Sequence, residues 1–171
     1  MSDKRFILAI TGPAGSGKST VAGKLAKQHN KCVNIDADLV KHFIVNDFLY
    51  DTTPAGITQW ELLGDNIGIL ANNFFNSGYS VIINGYINEP AWQKINEHIA
   101  LSHKVLLLPN PDTATARDAG RAEEARMGDV AIKEHHAYFS NSSFFNDFTK
   151  LDTTEHTVDE TVNKIVSIIY G

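Results

Sequence analysis

Residues 6–20 read Phe-Ile-Leu-Ala-Ile-Thr-Gly-Pro-Ala-Gly-Ser-Gly-Lys-Ser-Thr, and this stretch decides the fold. Its apolar, β-branched beginning predicts a buried strand over residues 6–10. Glycine permits the positive φ angles with which a backbone curls around an anion and points its N–H groups inward. The sequence therefore predicts a phosphate-binding loop, because the pattern G-x-x-x-x-G-K-[ST] is complete at Gly12, Gly17, Lys18 and Ser19.

Each residue type in this loop suits a bound nucleotide. A helix predicted from residue 18 to about residue 29 directs the positive end of its dipole at the phosphates. Lys18 is expected to reach the β- and γ-phosphates, and the Ser19 hydroxyl to bind the Mg²⁺ that bridges them. Thr20 is expected on the α-phosphate side. The predicted nucleotide-binding residues of the loop are Gly12, Pro13, Ala14, Gly15, Ser16, Gly17, Lys18, Ser19 and Thr20.

The composition indicates one globular domain. The chain has 171 residues, of which 43% are hydrophobic and 20% are charged, as in ordinary globular proteins. A formal charge of −5 argues against a general nucleic-acid binder, which needs a basic face. Cys32 is the only cysteine, which excludes an intramolecular disulfide and a cysteine-based zinc site. Because no apolar segment resembles a signal peptide or a membrane span, we expect a cytoplasmic protein without a membrane partner.

Strands and helices are predicted to alternate along the rest of the chain. Further strands are expected at residues 31–35, 79–83, 103–108 and 148–151. Helices are expected from residue 39 through 44 and at residues 57–76, 90–101, 111–126, 129–139 and 158–170, with a loop at 47–56. This alternation predicts a three-layer α/β fold, a parallel sheet with helices on both faces. Ligands of such sheets bind at the carboxyl ends of the strands.

Polar side chains follow two of these strands. Asp36 and Asp38 come after the second strand, and a kinase needs one carboxylate at the acceptor hydroxyl and often another near Mg²⁺. The alternative is that one of them only caps the following helix. Asn84 ends the third strand, where its amide can bind a metal-bound water or form an Asn-Gly turn.

Two arginines are predicted on a mobile element. Arg117 and Arg121 are one helical turn apart in the predicted helix at 111–126, with Arg126 near the following turn. Their guanidinium groups can clamp nucleotide phosphates or stack on the base when a lid at about residues 111–140 closes. The alternative is a solvated helix stabilised by ion pairs with the neighbouring Asp118, Glu123 and Glu124.

The histidines and phenylalanines of the C-terminal part are not predicted to form a site. His135 and His136 are adjacent, so on a helix their side chains diverge by about 100° and cannot share a metal. Both are expected at the surface. A core position is expected for Phe139, Phe144, Phe145 and Phe148.

In this order, the phosphate loop, Asp36-x-Asp38, Asn84 and Arg117-x-x-x-Arg121 resemble the small phosphate-loop kinases. That superfamily includes shikimate kinase, gluconate kinase, chloramphenicol phosphotransferase, adenylate kinase and the zeta toxins. The phrase Asn-Ile-Asp-Ala-Asp-Leu-Val at residues 34–40 is most similar to gluconate kinase. The resemblance implies a five-stranded parallel sheet of order 2-3-1-4-5 and ATP as the phosphoryl donor. It also makes Asp38 the candidate base and Asp36 the outer Mg²⁺ partner.

Two departures from the kinase pattern leave the acceptor open. Asn84 stands where many relatives have an acid, and residues 47–64 lack the residues of a gluconate or shikimate site. We expect an ATP-dependent kinase, monomeric or homodimeric, that phosphorylates a hydroxyl of a small metabolite such as a sugar acid. The expected catalytic residues are Lys18, Asp38, Arg117 and Arg121, the two arginines also contact the nucleotide, and Ser19 and Asp36 are the expected metal residues.

Other functions are compatible with parts of the sequence. A nucleoside or nucleotide kinase, an antibiotic phosphotransferase, and a nucleotide-binding regulatory protein without transferase activity would all keep the loop. A regulatory GTPase would need its D-x-x-G at the end of an apolar strand. The match at Asp65-Asn-Ile-Gly68 instead lies inside a helical pattern, and that at Thr149-Lys-Leu-Asp152 lies close to the C-terminus.

Overall fold

The computed structural model describes residues 4–46 and 48–171, and its centre is an all-parallel sheet of five strands. Numbered in chain order, the strands lie side by side in the order 2-3-1-4-5, as the resemblance to the small phosphate-loop kinases implies. In this order the strand before the phosphate loop is central, so the loop emerges at the middle of the carboxyl edge. The strands are β1 (Ile7–Thr11), β2 (Cys32–Asp36), β3 (Ser80–Asn84), β4 (His103–Leu107) and β5 (Thr149–Leu151).

Helices cover both faces of the sheet. Alternate side chains of β1 point to opposite faces, so that Ile7 packs with the two helices between residues 54 and 98 and Leu8 packs with the first and last helices of the chain. No helix in the described part of the chain combines the length and apolar character needed to cross a membrane. The helices are α1 (Lys18–Lys27), α2 (Ala37–Lys41), α3 (Pro54–Asn76), α4 (Glu89–His98), α5 (Pro111–Ala119), α6 (Asp129–Asn141) and α7 (Val158–Tyr170).

The long helix α3 begins earlier than predicted, at Pro54 rather than at residue 57. The side chain of Thr53 caps it by accepting from the N–H of Gly56, and proline suits the first helical position. Asp47, the first residue of the predicted loop, lies outside the described residues. Later in α3, Gly64 allows close packing against α4, since a Cβ there would overlap the carbonyl oxygen of Ala91.

Several helices end earlier in the structure than predicted, and two of these differences concern the predicted site. The helix predicted through residue 44 ends at Lys41, and Phe43 beyond it is 78% exposed. The helix predicted at 111–126 ends at Ala119, so this prediction was wrong. The cause is the buried carboxylate of Asp118, which accepts from the backbone N–H groups of Met127 and Gly128 and folds the chain back on itself. The spacing of residues along the sequence does not predict such a contact.

Candidate active site

The phosphate loop between β1 and α1 is held from two sides. Gly12 has φ 148° and Gly15 has φ 75°, so both lie in the region that favours glycine. A Cβ at Gly12 would overlap the carbonyl oxygen of Leu107 at the end of β4. A Cβ at Gly15 would overlap the carbonyl oxygen of Ala114 in α5. The loop therefore has its shape because two glycines let it pack directly against neighbouring backbone.

The open side of the loop has the features of an anion cradle. Gly17 precedes α1 in a left-handed conformation (φ 87°), and a Cβ there would meet no atom within 4 Å. No side chain caps the N-terminus of α1, so its first N–H groups are available to a ligand. The helix dipole adds positive potential at the same point. This geometry suits the phosphates of a nucleotide.

Lys18 lies at the centre of this cradle. Its ammonium group donates a hydrogen bond of 2.8 Å to the carbonyl oxygen of Pro13. Burial lowers the pKa of Lys18 to about 8, an effect that Asp38 opposes and that Arg121 and Lys41 strengthen. A phosphate group placed here would favour the charged form of Lys18.

A cavity of about 690 Å³ joins the loop to the rest of the predicted site. The residues of the loop, including Lys18, line one part of it. Asp38, Lys41, Tyr50, Tyr86 and His135 line another part, and Arg121 also contributes. Of the predicted site residues, the structure thus brings Lys18, Ser19, Thr20, Asp38 and Arg121 to one cavity, whereas Asp36 and Arg117 do not line it.

Asp36 and Asp38 have different surroundings. The Asp36 carboxylate caps α2, because its Oδ1 accepts from the backbone N–H of Asp38 at 2.9 Å. Asp38 lines the large cavity, and its side chain is 49% exposed. The proposed capping role therefore applies to Asp36, while Asp38 is the one of the two that lines the large cavity.

Lys41 is a site residue that the sequence analysis missed. Its side chain is 2% exposed, and its ammonium group lies 2.7 Å from Asp38 Oδ1 and 2.6 Å from the carbonyl oxygen of Tyr86. The ring centroids of Trp60, Tyr86 and Tyr50 lie 4.7, 5.5 and 5.8 Å from it. Burial lowers the pKa of Lys41, and Asp38 opposes that shift. The only sequence signal is a lysine three residues after an aspartate on a helix.

Asn84 links two strands at the carboxyl edge. It is fully buried, and its Nδ2 donates to Asn34 Oδ1 at 2.9 Å and to the carbonyl oxygen of Ile35 at 3.4 Å. Asn84 is also the register partner of Asp36, so β3 places an amide beside the cap of α2. Its Oδ1 has no hydrogen-bond partner among the described residues.

The two arginines do not share a helical face, contrary to the prediction. Arg117 lies in α5 and donates to carbonyl oxygens of the loop between β5 and α7, the shortest bond being 2.8 Å to Thr153. It lines a second cavity of about 430 Å³ together with the start of α7. Arg121 follows α5, lies 3.5 Å from Asp118 and lines both cavities. Arg121 is therefore the arginine that adjoins the phosphate loop from the large cavity.

The prediction that His135 and His136 lie at the surface was wrong. His135 is half-buried, lines the large cavity and contacts the ring of Tyr86, with a centroid separation of 4.5 Å and an angle of 38° between the ring planes. Burial lowers the pKa of His135, and the positive charge of Lys18 lowers it further. His136 is half-buried, with Nε2 3.1 Å from the carbonyl oxygen of Pro109. The four phenylalanines lie in or against the core, as predicted: Phe139, Phe144, Phe145 and Phe148.

The metal-binding potential of the site is limited. Among residues 4–46 and 48–171, no group of three His, Cys, Asp or Glu side chains can hold a metal ion. Ser19 is exposed at the start of α1 and lines the large cavity, and Asp36 lies at the end of β2. Magnesium commonly binds few protein groups and takes its other ligands from phosphates and water. The residues present fit an ion that arrives with a nucleotide.

No protein-family model and no curated protein matches the sequence. The chain is similar in structure to a sugar kinase from Janibacter sp. HTCC2649, with a TM-score of 0.72 and 13% identity over 97% of this chain and 95% of that chain. A tunicamycin resistance protein from Deinococcus radiodurans has a TM-score of 0.71 and 13% identity over 98% and 96%. Shikimate kinase from Bacteroides thetaiotaomicron has a TM-score of 0.69 and 17% identity over 96% and 98%. The chain therefore has the fold of the phosphate-loop kinases.

Proposed function

We propose that this chain is an ATP-dependent kinase that transfers the γ-phosphoryl group to a hydroxyl of a small molecule. The observation that carries the proposal is a single cavity of about 690 Å³ lined by the phosphate loop, Arg121 and the Asp38 carboxylate. Donor phosphates and an acceptor hydroxyl need such a shared space, because transfer depends on bringing them together. The fold shared with known kinases is consistent with this function.

The nucleotide would extend across both cavities, which share Gly17, Thr20 and Arg121. Its phosphates would bind the N–H groups of the loop and the ammonium group of Lys18. Its base and ribose would occupy the cavity of about 430 Å³, whose wall Arg117 holds by bonding the loop between β5 and α7. This assigns Arg117 to the base side of the nucleotide and Arg121 to the phosphate side.

In the transfer step, the acceptor oxygen would form a bond to the γ-phosphorus while the bond to the β–γ bridging oxygen breaks. Asp38 would orient the acceptor and take its proton, because it is the accessible carboxylate of the cavity. Lys18 and Arg121 would stabilise the charge that develops on the phosphoryl oxygens. Ser19 and Asp36 would hold Mg²⁺, which offsets the negative charge of the phosphates when it is bound.

The lid proposed at about residues 111–140 supplies groups to both cavities. It contains Arg117 on the base side, Arg121 on the phosphate side and His135 on the acceptor side. Its closure over bound ATP would exclude water from the phosphoryl group, which limits wasteful hydrolysis.

Release of ADP from Mg·ATP across a panel of sugar acids, polyols, nucleosides, and aminocyclitol and phenicol antibiotics tests the function. A kinase gives ADP release that depends on one class of acceptor. Lys18→Met should lose this activity, because it removes the charge at the phosphates. A nucleotide-binding protein without transferase activity would bind Mg·ATP and give no acceptor-dependent ADP release with any compound.

A further inference from the structure

We propose that the acceptor end of the large cavity takes an uncharged alcohol that carries a flat ring, rather than a sugar acid or another anionic metabolite. This inference rests on the proposed kinase function, because it assigns the substrate class of the same site. It follows from two observations on the residues around Asp38: their charges are already paired, and their largest surfaces are aromatic rings.

The first observation concerns charge. The cationic side chains that line the large cavity are Lys18, Lys41 and Arg121, and Asp38 is its carboxylate. Lys18 and Arg121 adjoin the phosphate loop and are assigned to the phosphates. Lys41 is paired with Asp38 and with the Tyr86 carbonyl, and at 2% exposure it offers almost no surface to a ligand.

Among the described residues, an anionic acceptor would therefore meet no unpaired lysine or arginine at this end of the cavity. Its negative group would lie near the Asp38 carboxylate instead, and bringing like charges together is unfavourable. The other polar groups that line the cavity are hydroxyls and the imidazole rings of His42 and His135. These groups can hydrogen-bond to the oxygens of an uncharged acceptor.

The second observation concerns shape. Tyr50, Tyr86 and His135 line the cavity, and Trp60 lies behind them as a link. Neighbouring centroids are 6.0 Å apart for Tyr50 and Trp60, 6.0 Å for Trp60 and Tyr86, and 4.5 Å for Tyr86 and His135. We call the three rings that line the cavity with Asp38, those of Tyr50, Tyr86 and His135, the aromatic wall; the buried ring of Trp60 supports it from behind. Tyr50 is 63% exposed, so part of its ring is available for contact with an acceptor.

A flat acceptor ring placed on this wall can direct an attached hydroxyl towards Asp38. Ring stacking adds binding energy beyond the area that is buried. A saturated ring of the same size would bury similar area without stacking. Tighter binding of a flat ring than of a saturated ring of the same size is therefore the property that distinguishes the aromatic wall.

The test uses benzyl alcohol and two analogues, each of which differs from it in one property. Benzyl alcohol is flat and uncharged, cyclohexylmethanol is saturated, and 4-(hydroxymethyl)benzoate adds a carboxylate to the flat ring. Binding of each to the full chain with Mg·ADP is measured by ligand-observed NMR, and phosphorylation with Mg·ATP is measured in parallel. The variants are Tyr50→Leu, which removes the exposed ring, and Tyr50→Phe, which retains it.

Benzyl alcohol should bind at least about fivefold more tightly than cyclohexylmethanol, a difference of the size that stacking supplies. It should also bind more tightly than 4-(hydroxymethyl)benzoate, because the carboxylate of that alcohol would lie near the Asp38 carboxylate. Tyr50→Leu should remove most of the preference over cyclohexylmethanol, and Tyr50→Phe should keep it. Tighter binding of the carboxylate, or a Tyr50→Leu variant that keeps the flat-ring preference, would overturn the inference. Ring-selective binding without phosphorylation of any acceptor would instead contradict the kinase function while supporting the assigned ligand class.

Discussion

The buried ammonium group of Lys41 lies 2.7 Å from the Oδ1 atom of Asp38, whose side chain is 49% exposed to the cavity. One partner of this ion pair is enclosed by aromatic rings and the other faces the phosphate loop across the cavity. Lys41 therefore holds one oxygen of Asp38 in place and leaves the remainder of the carboxylate for an acceptor.

Replacing Lys41 by methionine should separate activity from stability. The apolar side chain fits among the rings but leaves the carbonyl oxygen of Tyr86 without its donor, so the free energy of unfolding should fall by no more than about 1–3 kcal/mol. The kcat for phosphoryl transfer should fall by roughly tenfold or more, because Asp38 loses the contact that orients it. Denaturant unfolding and steady-state kinetics on the same preparation measure the two effects.

The control for this variant is Lys24→Met. Lys24 also forms an ion pair, with Asp159, but both side chains are exposed and lie outside both cavities. Its kcat should equal that of the wild type. A Lys41→Met protein that unfolds easily, or one that retains full kcat, would contradict the positioning role of Lys41.

The two arginines should fail in different ways when each is replaced by methionine. Arg117→Met removes the bonds to the loop between β5 and α7, so it should weaken nucleotide binding and lower the Tm. Arg121→Met should lower kcat by about a hundredfold, because it removes a charge from the transferring group. Its Tm should change little, since that side chain is 42% exposed. Equal effects of the two replacements on kcat and Kd would contradict this division.

Binding of Mg·ATP should take up a proton at alkaline pH. Burial lowers the pKa of Lys18 to about 8, so in the free protein Lys18 loses its proton as the pH rises past that value. Bound phosphates favour the charged form and raise this pKa, so uptake approaches about one proton near pH 9 and disappears near pH 6.5. Calorimetry in buffers of different ionisation enthalpy measures the uptake. Lys18→Met should abolish it, and a wild-type protein without uptake at pH 9 would contradict the assignment.

Adding a methyl group to glycine should have opposite effects at two positions close in sequence. Gly12→Ala places a Cβ against the carbonyl oxygen of Leu107 at a φ of 148°, so it should destabilise the chain by more than about 1 kcal/mol and impair nucleotide binding. Gly23 lies in α1, and a Cβ added there would meet no other part of the protein within 4 Å. Gly23→Ala should therefore stabilise the folded chain by about 0.5–1 kcal/mol. Chemical denaturation compares both variants with the wild type. A stable, nucleotide-binding Gly12→Ala protein would show that the loop has another shape.

Features that local sequence determines were predictable. The phosphate loop is a contiguous motif with fixed glycine positions, and α7 has the predicted bounds because Thr157 and Glu160 form a capping box before an apolar periodic segment. The resemblance to the small phosphate-loop kinases implied the strand order, and the structure confirms it.

Features that depend on distant contacts were not predictable in the same way. Lys41 meets Tyr86 because α2 packs against the end of β3, and residues so far apart in sequence carry no shared pattern. The Asp118 carboxylate accepts from the N–H groups of Met127 and Gly128 near the end of α5, and helical periodicity does not predict this contact. His135 faces the cavity for the same kind of reason, since its neighbour Tyr86 comes from another element.

The most direct test of the account follows the γ-phosphate itself. ATP labelled in that group is incubated with the acceptor panel and with either the wild type or Asp38→Asn, and nucleotide binding is measured on both proteins. We expect the wild type to form a labelled phosphate ester, and the variant to form it at least about a hundredfold more slowly with nucleotide affinity almost unchanged. Equal transfer rates for both proteins, or label that appears only as inorganic phosphate, would contradict the claim that Asp38 serves a hydroxyl acceptor.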